Sequence, residues 1–137
     1  MNPKNVGEIK NADGVGVAGS LVCGDMMTLY IKVRNEEIID IKFQTIGCAA
    51  AIATSSAVTE IAKNKTIKQA LEITNKKIVN DLGGLPVPKI HCSLLAVDAL
   101  KEAIYDYMEK NNIKIPEQLK KEHSRIKKER ESVEENI

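Results

Sequence analysis

Cys92 lies in the stretch of this chain whose residue types are best suited to chemistry. It follows Lys89 and His91, after a segment rich in glycine and proline that runs from Gly83 to Pro88. Proline lacks an N–H and glycine favours left-handed turns, so this segment predicts irregular backbone up to Pro88. Apolar residues then recur at helical spacing, so Cys92 is predicted near a helix start, where the helix dipole and Lys89 favour its thiolate. A thiolate beside an imidazole is suited to metal or sulfur chemistry.

Two further cysteines are also predicted at boundaries between elements. Cys23 precedes a glycine and Asp25, and Cys48 directly precedes an alanine-rich helical pattern. Side chains at such boundaries can reach a shared site. Three thiolates, the Asp25 carboxylate and the His91 imidazole are enough for a tetrahedral zinc site. They are equally enough for a [2Fe–2S] cluster, with Asp25 or His91 as fourth ligand, and spacing alone does not choose between the two.

The mixed ligand set has a chemical consequence. A carboxylate is a harder ligand than a thiolate, so a cluster held partly by Asp25 should be labile, which suits a protein that gives its cluster away. The opposing hypothesis makes the cysteines buried spectators, Asp25 a turn residue and His91 a helix-terminus residue. This opposing hypothesis requires that all of these assignments be true at the same time.

Composition narrows the classes of protein to consider. The 137 residues suffice for one domain, and a net charge of +1 gives no general attraction to nucleic acid or to a membrane surface. Phe43 is the only phenylalanine and there is no tryptophan, which argues against a nucleic-acid site in which bases stack on aromatic side chains. No apolar run approaches the roughly 20 residues that span a bilayer. The N-terminus lacks a signal-peptide core, so we expect a cytoplasmic protein with reduced thiols.

Hydrophobic periodicity predicts an α+β fold. Apolar and polar residues alternate through two segments joined by a polar turn, which predicts an antiparallel hairpin, and the segment before Cys23 is the expected third strand. The predicted strands lie around Val15–Val22, Leu29–Val33 and Ile39–Phe43, and the predicted helices around Ala49–Lys63, Ile67–Ile73, Lys76–Leu82 and Lys89–Lys110. We therefore expect a small antiparallel sheet of about three strands with helices packed on one face.

The two ends of the chain are predicted to be different from its middle. Residues 1–22 contain several glycines and are expected to be a flexible arm of a domain spanning residues 1–112. Residues 113–137 are highly charged, with Pro116 marking a helix start. Their apolar residues recur only once per heptad, which is too narrow for a coiled-coil seam. We expect a solvated tail that is helical or partly disordered, contributes little to the core and is dispensable for the domain.

Three motifs identify a family that the chain resembles. They are Cys23-Gly24-Asp25-Met26-Met27, the run from Phe43 through Gly47-Cys48 to Ala53, and Lys89-Ile90-His91-Cys92-Ser93. In this order and at these separations they resemble the U-type iron–sulfur cluster assembly scaffolds, the IscU/NifU family. The resemblance extends from Asn2 to about Tyr107.

The resemblance implies a fold and a function. The family fold is a small antiparallel sheet with helices on one face. Its members are scaffolds rather than enzymes: they assemble a [2Fe–2S] cluster from iron and from sulfur delivered by a cysteine desulfurase, then pass it to apo-proteins. The implied cluster ligands are Cys23, Cys48 and Cys92, with Asp25 and His91 competing for the remaining role. Cys92 is the implied persulfide acceptor, supported by Lys89.

Departures from the family pattern refine these expectations. His91, and the absence of an insertion between Cys48 and Cys92, argue against the SUF-type branch. The loop reads Leu85-Pro86-Val87-Pro88-Lys89 where chaperone-served members read Leu-Pro-Pro-Val-Lys, which weakens the expectation of a dedicated Hsp70-type partner. Two alternatives stay open: a zinc-binding regulator of a desulfurase, and an adaptor whose cysteines are inert. The desulfurase, the iron donor, the recipients and any homo-oligomer are not identified by the sequence.

Overall fold

The computed structural model describes residues 6–20, 25–46, 49–73 and 87–135. Three strands and four helices occur within these ranges: β1 (Gly14–Ser20), β2 (Asp25–Arg34), β3 (Glu37–Ile46), α1 (Ala49–Ala62), α2 (Ile67–Leu71), α3 (Val87–Lys110) and α4 (Glu117–Glu135). The α+β prediction is confirmed. Part of the expected flexible arm is the strand β1, and α3 begins at Val87, just before Pro88. The helix predicted around Lys76–Leu82 lies outside the described residues. No described helix is long and apolar enough to cross a membrane.

The strands form one antiparallel sheet in the order β1-β2-β3. Asn35 and Glu36 join β2 to β3 and both have positive φ, 53° and 63°, as a tight two-residue hairpin turn requires. Alternate residues of β2 are buried, namely Met27, Leu29 and Ile31. These side chains lie on the sheet face that packs against the helices, so the period-2 pattern predicted the buried face correctly.

Helix α3 packs against β1 with almost no side chain between the two backbones. Gly14, Gly16 and Ala18 share the buried face of β1, since they pair with Ile31, Leu29 and Met27 of β2. A Cβ atom built on Gly16 would collide with backbone atoms of α3, including the carbonyl carbon of Glu102 at 2.8 Å. The glycines are therefore required for the helix to lie this close to the sheet.

Other parts of the chain satisfy the edges of the sheet. On β3, the Gly7 N–H donates to the Phe43 carbonyl at 2.8 Å, and Ile38 exchanges backbone hydrogen bonds with Asn64 and Lys65. Thr66 then caps α2 through a reciprocal pair of bonds with Gln69, as its position in the sequence predicted. On β1, the Val15 N–H donates to a side-chain oxygen at 2.9 Å and the Val17 carbonyl accepts from a guanidinium at 3.2 Å. Covered edges are protected against pairing with other chains.

The expectation of a solvated C-terminal tail is wrong for the described part of α4. Leu119 and Ile126 are 3% and 0% exposed and belong to the same apolar cluster as the sheet and α3. Two buried apolar side chains are enough to dock α4 on the domain because its other contacts with the domain are polar. Their spacing of seven residues places both on the face of α4 that meets α3 and β1.

Ion pairs join α4 to two buried acids of α3. Arg125 donates two hydrogen bonds to Asp98, at 2.9 and 3.3 Å, in the bidentate geometry typical of strong pairs. His123 Nδ1 lies 2.6 Å from Glu102 Oε2, and Arg130 approaches the other oxygen of Glu102 at 3.5 Å. Asp98 and Glu102 are each only 4% exposed, so α4 shields them from water.

Burial raises the pKa of both acids despite their cationic partners. Desolvation is the largest cause, and the bonds to Arg125 and to His123 oppose it only in part. The pattern that could have revealed this contact is the spacing of Asp98 and Glu102. They lie four residues apart on an apolar part of α3, so they share one helix face.

Replacing Gly16 by alanine should strongly destabilise the folded protein. The added methyl group would enter the backbone of α3 rather than displace a movable side chain, so we expect a loss of about 3 kcal/mol or more in the free energy of unfolding. Urea denaturation followed by circular dichroism measures it. Val17→Ala, on the opposite face of the same strand, is the matched control and should cost less than half as much. A Gly16→Ala variant with wild-type stability would contradict the close packing.

The buried acids should make stability depend on pH in a defined direction. Because their pKa values are raised above the ordinary value of about 4, the folded protein retains protons that the unfolded chain has released. Stability contributed by these sites therefore falls as pH rises through that window. We expect the unfolding free energy of the wild type, minus that of an Asp98→Asn/Glu102→Gln variant, to decrease between pH 4 and 7.

Urea unfolding of the metal-free protein at each pH gives both curves. A Glu117→Gln/Glu131→Gln variant, altered at exposed positions of α4, is the control and should run parallel to the wild type. A difference that grows with rising pH would mean that attraction to Arg125 and Arg130 outweighs burial, contrary to the direction expected here.

Candidate functional site

The predicted site residues belong to three segments at the borders of described elements. Asp25 is the first residue of β2, and Lys89, His91 and Cys92 lie in the first two turns of α3. The side chains of these four residues are outside the described part of the structure. Cys23 and Cys48 are entirely outside it, in the connections between β1 and β2 and between β3 and α1.

The sheet register places two of these connections at the same end of the sheet. Ser20, the last residue of β1, pairs with Asp25, the first residue of β2. The next residue, Met26, pairs with Ile46, the last residue of β3. The connection that contains Cys23 and the connection that contains Cys48 therefore leave adjacent strands at one end of the sheet.

Helix α3 directs its N-terminal end toward the same place. Gly16 contacts the backbone of α3 at Ala99 and Ala103, whereas Gly14 lies further along the helix, against Ala103 and Tyr107. The helix therefore runs antiparallel to β1. Moving four residues along the strand, from Gly16 to Ser20, covers about 13 Å, which corresponds to roughly nine helical residues. Gly16 lies against the part of α3 between Ala99 and Ala103. Counting back roughly nine residues from the middle of that part reaches the turn of α3 that contains His91 and Cys92.

The start of α1 completes this end of the molecule. It begins at Ala49, with only two residues between it and the end of β3 at Ile46. The hydroxyl of Ser55 in α1 donates to the sulfur of Met27 at 3.3 Å, which holds the helix against β2 two residues from Asp25. The tertiary structure thus brings the backbone of Asp25, the start of α1 and the start of α3 to one end of the sheet.

The described side chains contribute little chemistry at this end. They contain no group of three or more histidine, cysteine or acidic residues arranged to hold a metal ion. The described groups with shifted pKa values are Asp98, Glu102, Tyr30 and Tyr105, none of which is a predicted ligand. The ligand roles of Cys23, Asp25, Cys48, His91 and Cys92 therefore remain predictions from the sequence.

Comparison with known proteins agrees with this geometry. One scaffold protein IscU for iron–sulfur cluster assembly from Archaeoglobus fulgidus is 63% identical over 111 residues, which cover 81% of this chain and 72% of the relative. The corresponding protein of Aquifex aeolicus is 49% identical over 112 residues, covering 80% and 71% of the two chains.

Solved structures show the same fold. A putative iron–sulfur cluster assembly scaffold for the SUF system from Fervidobacterium islandicum superposes with a TM-score of 0.61 at 30% identity, covering 74% of this chain and 87% of that one. The N-terminal part of a NifU-like protein from Brucella abortus gives 0.62 at 23% identity, over 80% and 88% of the chains, which supports the fold alone.

The family comparison covers the segments described above. The model of the NifU-like N-terminal domain matches residues 1–114, a range that includes Cys23, Asp25, Cys48, His91 and Cys92 and ends before α4. This match and the identities above confirm the resemblance found in the three motifs. The chain belongs to the NifU-like N-terminal domain family, together with the IscU-type scaffolds of iron–sulfur cluster assembly.

Proposed function

We propose that this protein is a scaffold on which a [2Fe–2S] cluster is assembled and from which it is passed to apo-proteins. The observation that carries the proposal is family membership over residues 1–114, which contain all three cysteines. The convergence of three chain segments at one end of the sheet supports it. The cluster is cargo, so the protein acts as a carrier rather than as an enzyme.

The proposed ligands are the thiolates of Cys23, Cys48 and Cys92, with Asp25 or His91 as the fourth. Each comes from a different segment, and only the folded chain brings the segments together. Iron and sulfide can therefore be held while the protein is folded and released by a small change at one segment. A carboxylate ligand would make that release easier, because it matches iron–sulfur chemistry less well than a thiolate.

Cys92 is the proposed entry point for sulfur. In the transfer step its thiolate attacks the terminal sulfur of a cysteine desulfurase persulfide, a new S–S bond forms on Cys92, and the donor cysteine leaves as a thiolate. Lys89, three residues before Cys92 in α3, is the proposed group that favours the attacking thiolate, because a nearby ammonium stabilises the thiolate. We place this exchange in the cytoplasm, with an iron donor and recipient apo-proteins as further partners.

Anaerobic reconstitution tests the proposal. Metal-free protein incubated with ferrous iron, cysteine and a desulfurase should develop visible absorption from ferric–thiolate charge transfer and then activate an apo-ferredoxin. Without iron, peptide mass spectrometry should find added sulfur at Cys92 first. A variant with all three cysteines changed to serine is the control and should remain colourless.

Other results would replace the proposal with one of its alternatives. A colourless wild-type protein that retains zinc and alters desulfurase activity would indicate a zinc-binding regulator. Full biological activity of the triple serine variant would indicate an adaptor with inert cysteines. Sulfur found only at Cys23 or Cys48 would leave the scaffold role standing and overturn the assignment of Cys92.

Asp25→Ala should lengthen the life of the bound cluster and slow its transfer. Removing the carboxylate takes away a weak, exchangeable bond and allows His91 to serve as a better-matched ligand. Cluster decay in air and transfer to an apo-ferredoxin, followed by absorption and circular dichroism, should both become several-fold slower. Glu37→Ala, at an exposed position at the other end of the hairpin, is the control and should change neither. Faster decay, or transfer at the wild-type rate, would eliminate this role for Asp25.

A further inference from the structure

A cleft of about 450 Å³ lies beside the outer edge of β1, and none of the described residues that line it is a proposed cluster ligand. Its walls are three consecutive residues of β1, the second half of α3 and the inner face of α4. The lining residues used below are Val15, Gly16, Val17, Asp106 and Arg130. All of α4 lies beyond residue 114, where the match to the family model ends, so this cleft is built with a part of the chain that the family match does not include.

Strand alternation leaves a backbone acceptor and a backbone donor facing the cleft. Gly16 pairs with β2 on the inner side, and the N–H and carbonyl groups of Val15 and Val17 therefore point outward. Asp106 accepts from the Val15 N–H, and Arg130 donates to the Val17 carbonyl. Between them lie the Val15 carbonyl and the Val17 N–H, which no hydrogen bond among the described residues uses.

The two flanking side chains occupy the places that neighbours on a parallel strand would fill. In a parallel pair, the residue opposite Gly16 would donate to the Val15 carbonyl and accept from the Val17 N–H. The carboxylate of Asp106 already accepts from the Val15 N–H, and the guanidinium of Arg130 already donates to the Val17 carbonyl. These two side chains therefore take the places of the preceding and following residues of an added strand. The open length of edge is therefore one residue long, too short for a continuous added strand.

The charges at the two ends of this gap are opposite. Asp106 is 30% exposed at the end with the open carbonyl and is paired with Lys110 at 2.9 Å. Arg130 is 22% exposed at the end with the open N–H and lies 3.5 Å from Glu102. An ammonium group would be favoured beside Asp106 and the Val15 carbonyl. A carboxylate would be favoured beside Arg130 and the Val17 N–H, because hydrogen bonds between charged groups are the strong ones.

We propose that this cleft binds a free α-amino acid as its zwitterion, with the ammonium at Asp106 and the carboxylate at Arg130. An α-amino acid carries these two charges on one residue, which is the length of the gap. The inference does not depend on the cluster scaffold role, since the described walls of the cleft contain no proposed cluster ligand. With few contacting atoms and an open cleft, we expect dissociation constants on the order of millimolar.

Titration of the full-length, ¹⁵N-labelled, metal-free protein with glycine and L-serine tests the proposal. The backbone amide resonances of Val17 and Val15 should shift saturably. N-acetylglycine lacks the ammonium and glycinamide lacks the carboxylate, so each should bind at least about tenfold more weakly than glycine. The doubly blocked N-acetylglycine amide should not bind measurably.

Two variants in different elements test the charged ends separately. Asp106→Asn keeps an acceptor for the Val15 N–H but loses the negative charge, and Arg130→Gln keeps a donor for the Val17 carbonyl but loses the positive charge. Each should weaken glycine binding about tenfold or more, whereas Lys121→Gln, at an exposed position of α4, should leave it unchanged. If Arg130→Gln loosens α4, visible as a changed His123 ring resonance, Asp106→Asn still provides the test.

Several results would overturn the proposal. Absence of saturable shifts at tens of millimolar glycine or serine would do so directly. Equal binding of the doubly blocked amide would show that the edge pairs with peptide backbone without regard to charge. Undiminished binding by Asp106→Asn in a folded protein would remove the ammonium site.

Discussion

The close contact between α3 and β1 is the constraint on which the rest of this structure depends. Because Gly14 and Gly16 have no side chain, the helix lies directly on the strand backbone, and its axis follows β1. That direction carries the N-terminal turns of α3 to the end of the sheet where β2 begins and β3 ends. Two glycines remote from the predicted ligands thus determine where His91 and Cys92 lie.

Helix α4 fixes the other side of this arrangement. It buries Leu119 and Ile126 and supplies hydrogen-bonding partners for the two acids of α3 that its docking shields from water. Leaving a buried carboxylate unpaired is costly, so the docking of α4 and the placement of α3 support each other. Mixed apolar and ionic contacts also explain why α4 resembles a solvated helix in the sequence although it belongs to the core.

One end of the sheet and the outer edge of β1 have different chemical character. One end collects the segments that contain the cysteines, where family membership supports cluster assembly. The outer edge of β1 is instead lined by charged residues of α3 and α4, with a carboxylate and a guanidinium on adjacent backbone groups. Binding at that edge would act on the same strand and helix that position the cluster segments, since both are parts of one packed unit.

The sequence by itself determined the cysteine motifs, the family they resemble, the hairpin, the Thr66 cap and the buried face of β2. Each of these follows from residue types that are neighbours in the chain, so local pattern suffices. Only the tertiary structure decided that Gly16 is a packing position, that α4 is docked, and that Asp98 and Glu102 are buried acids with raised pKa values. These depend on partners more than 20 residues away, such as Arg125 for Asp98, and periodicity within one element carries no information about what covers it.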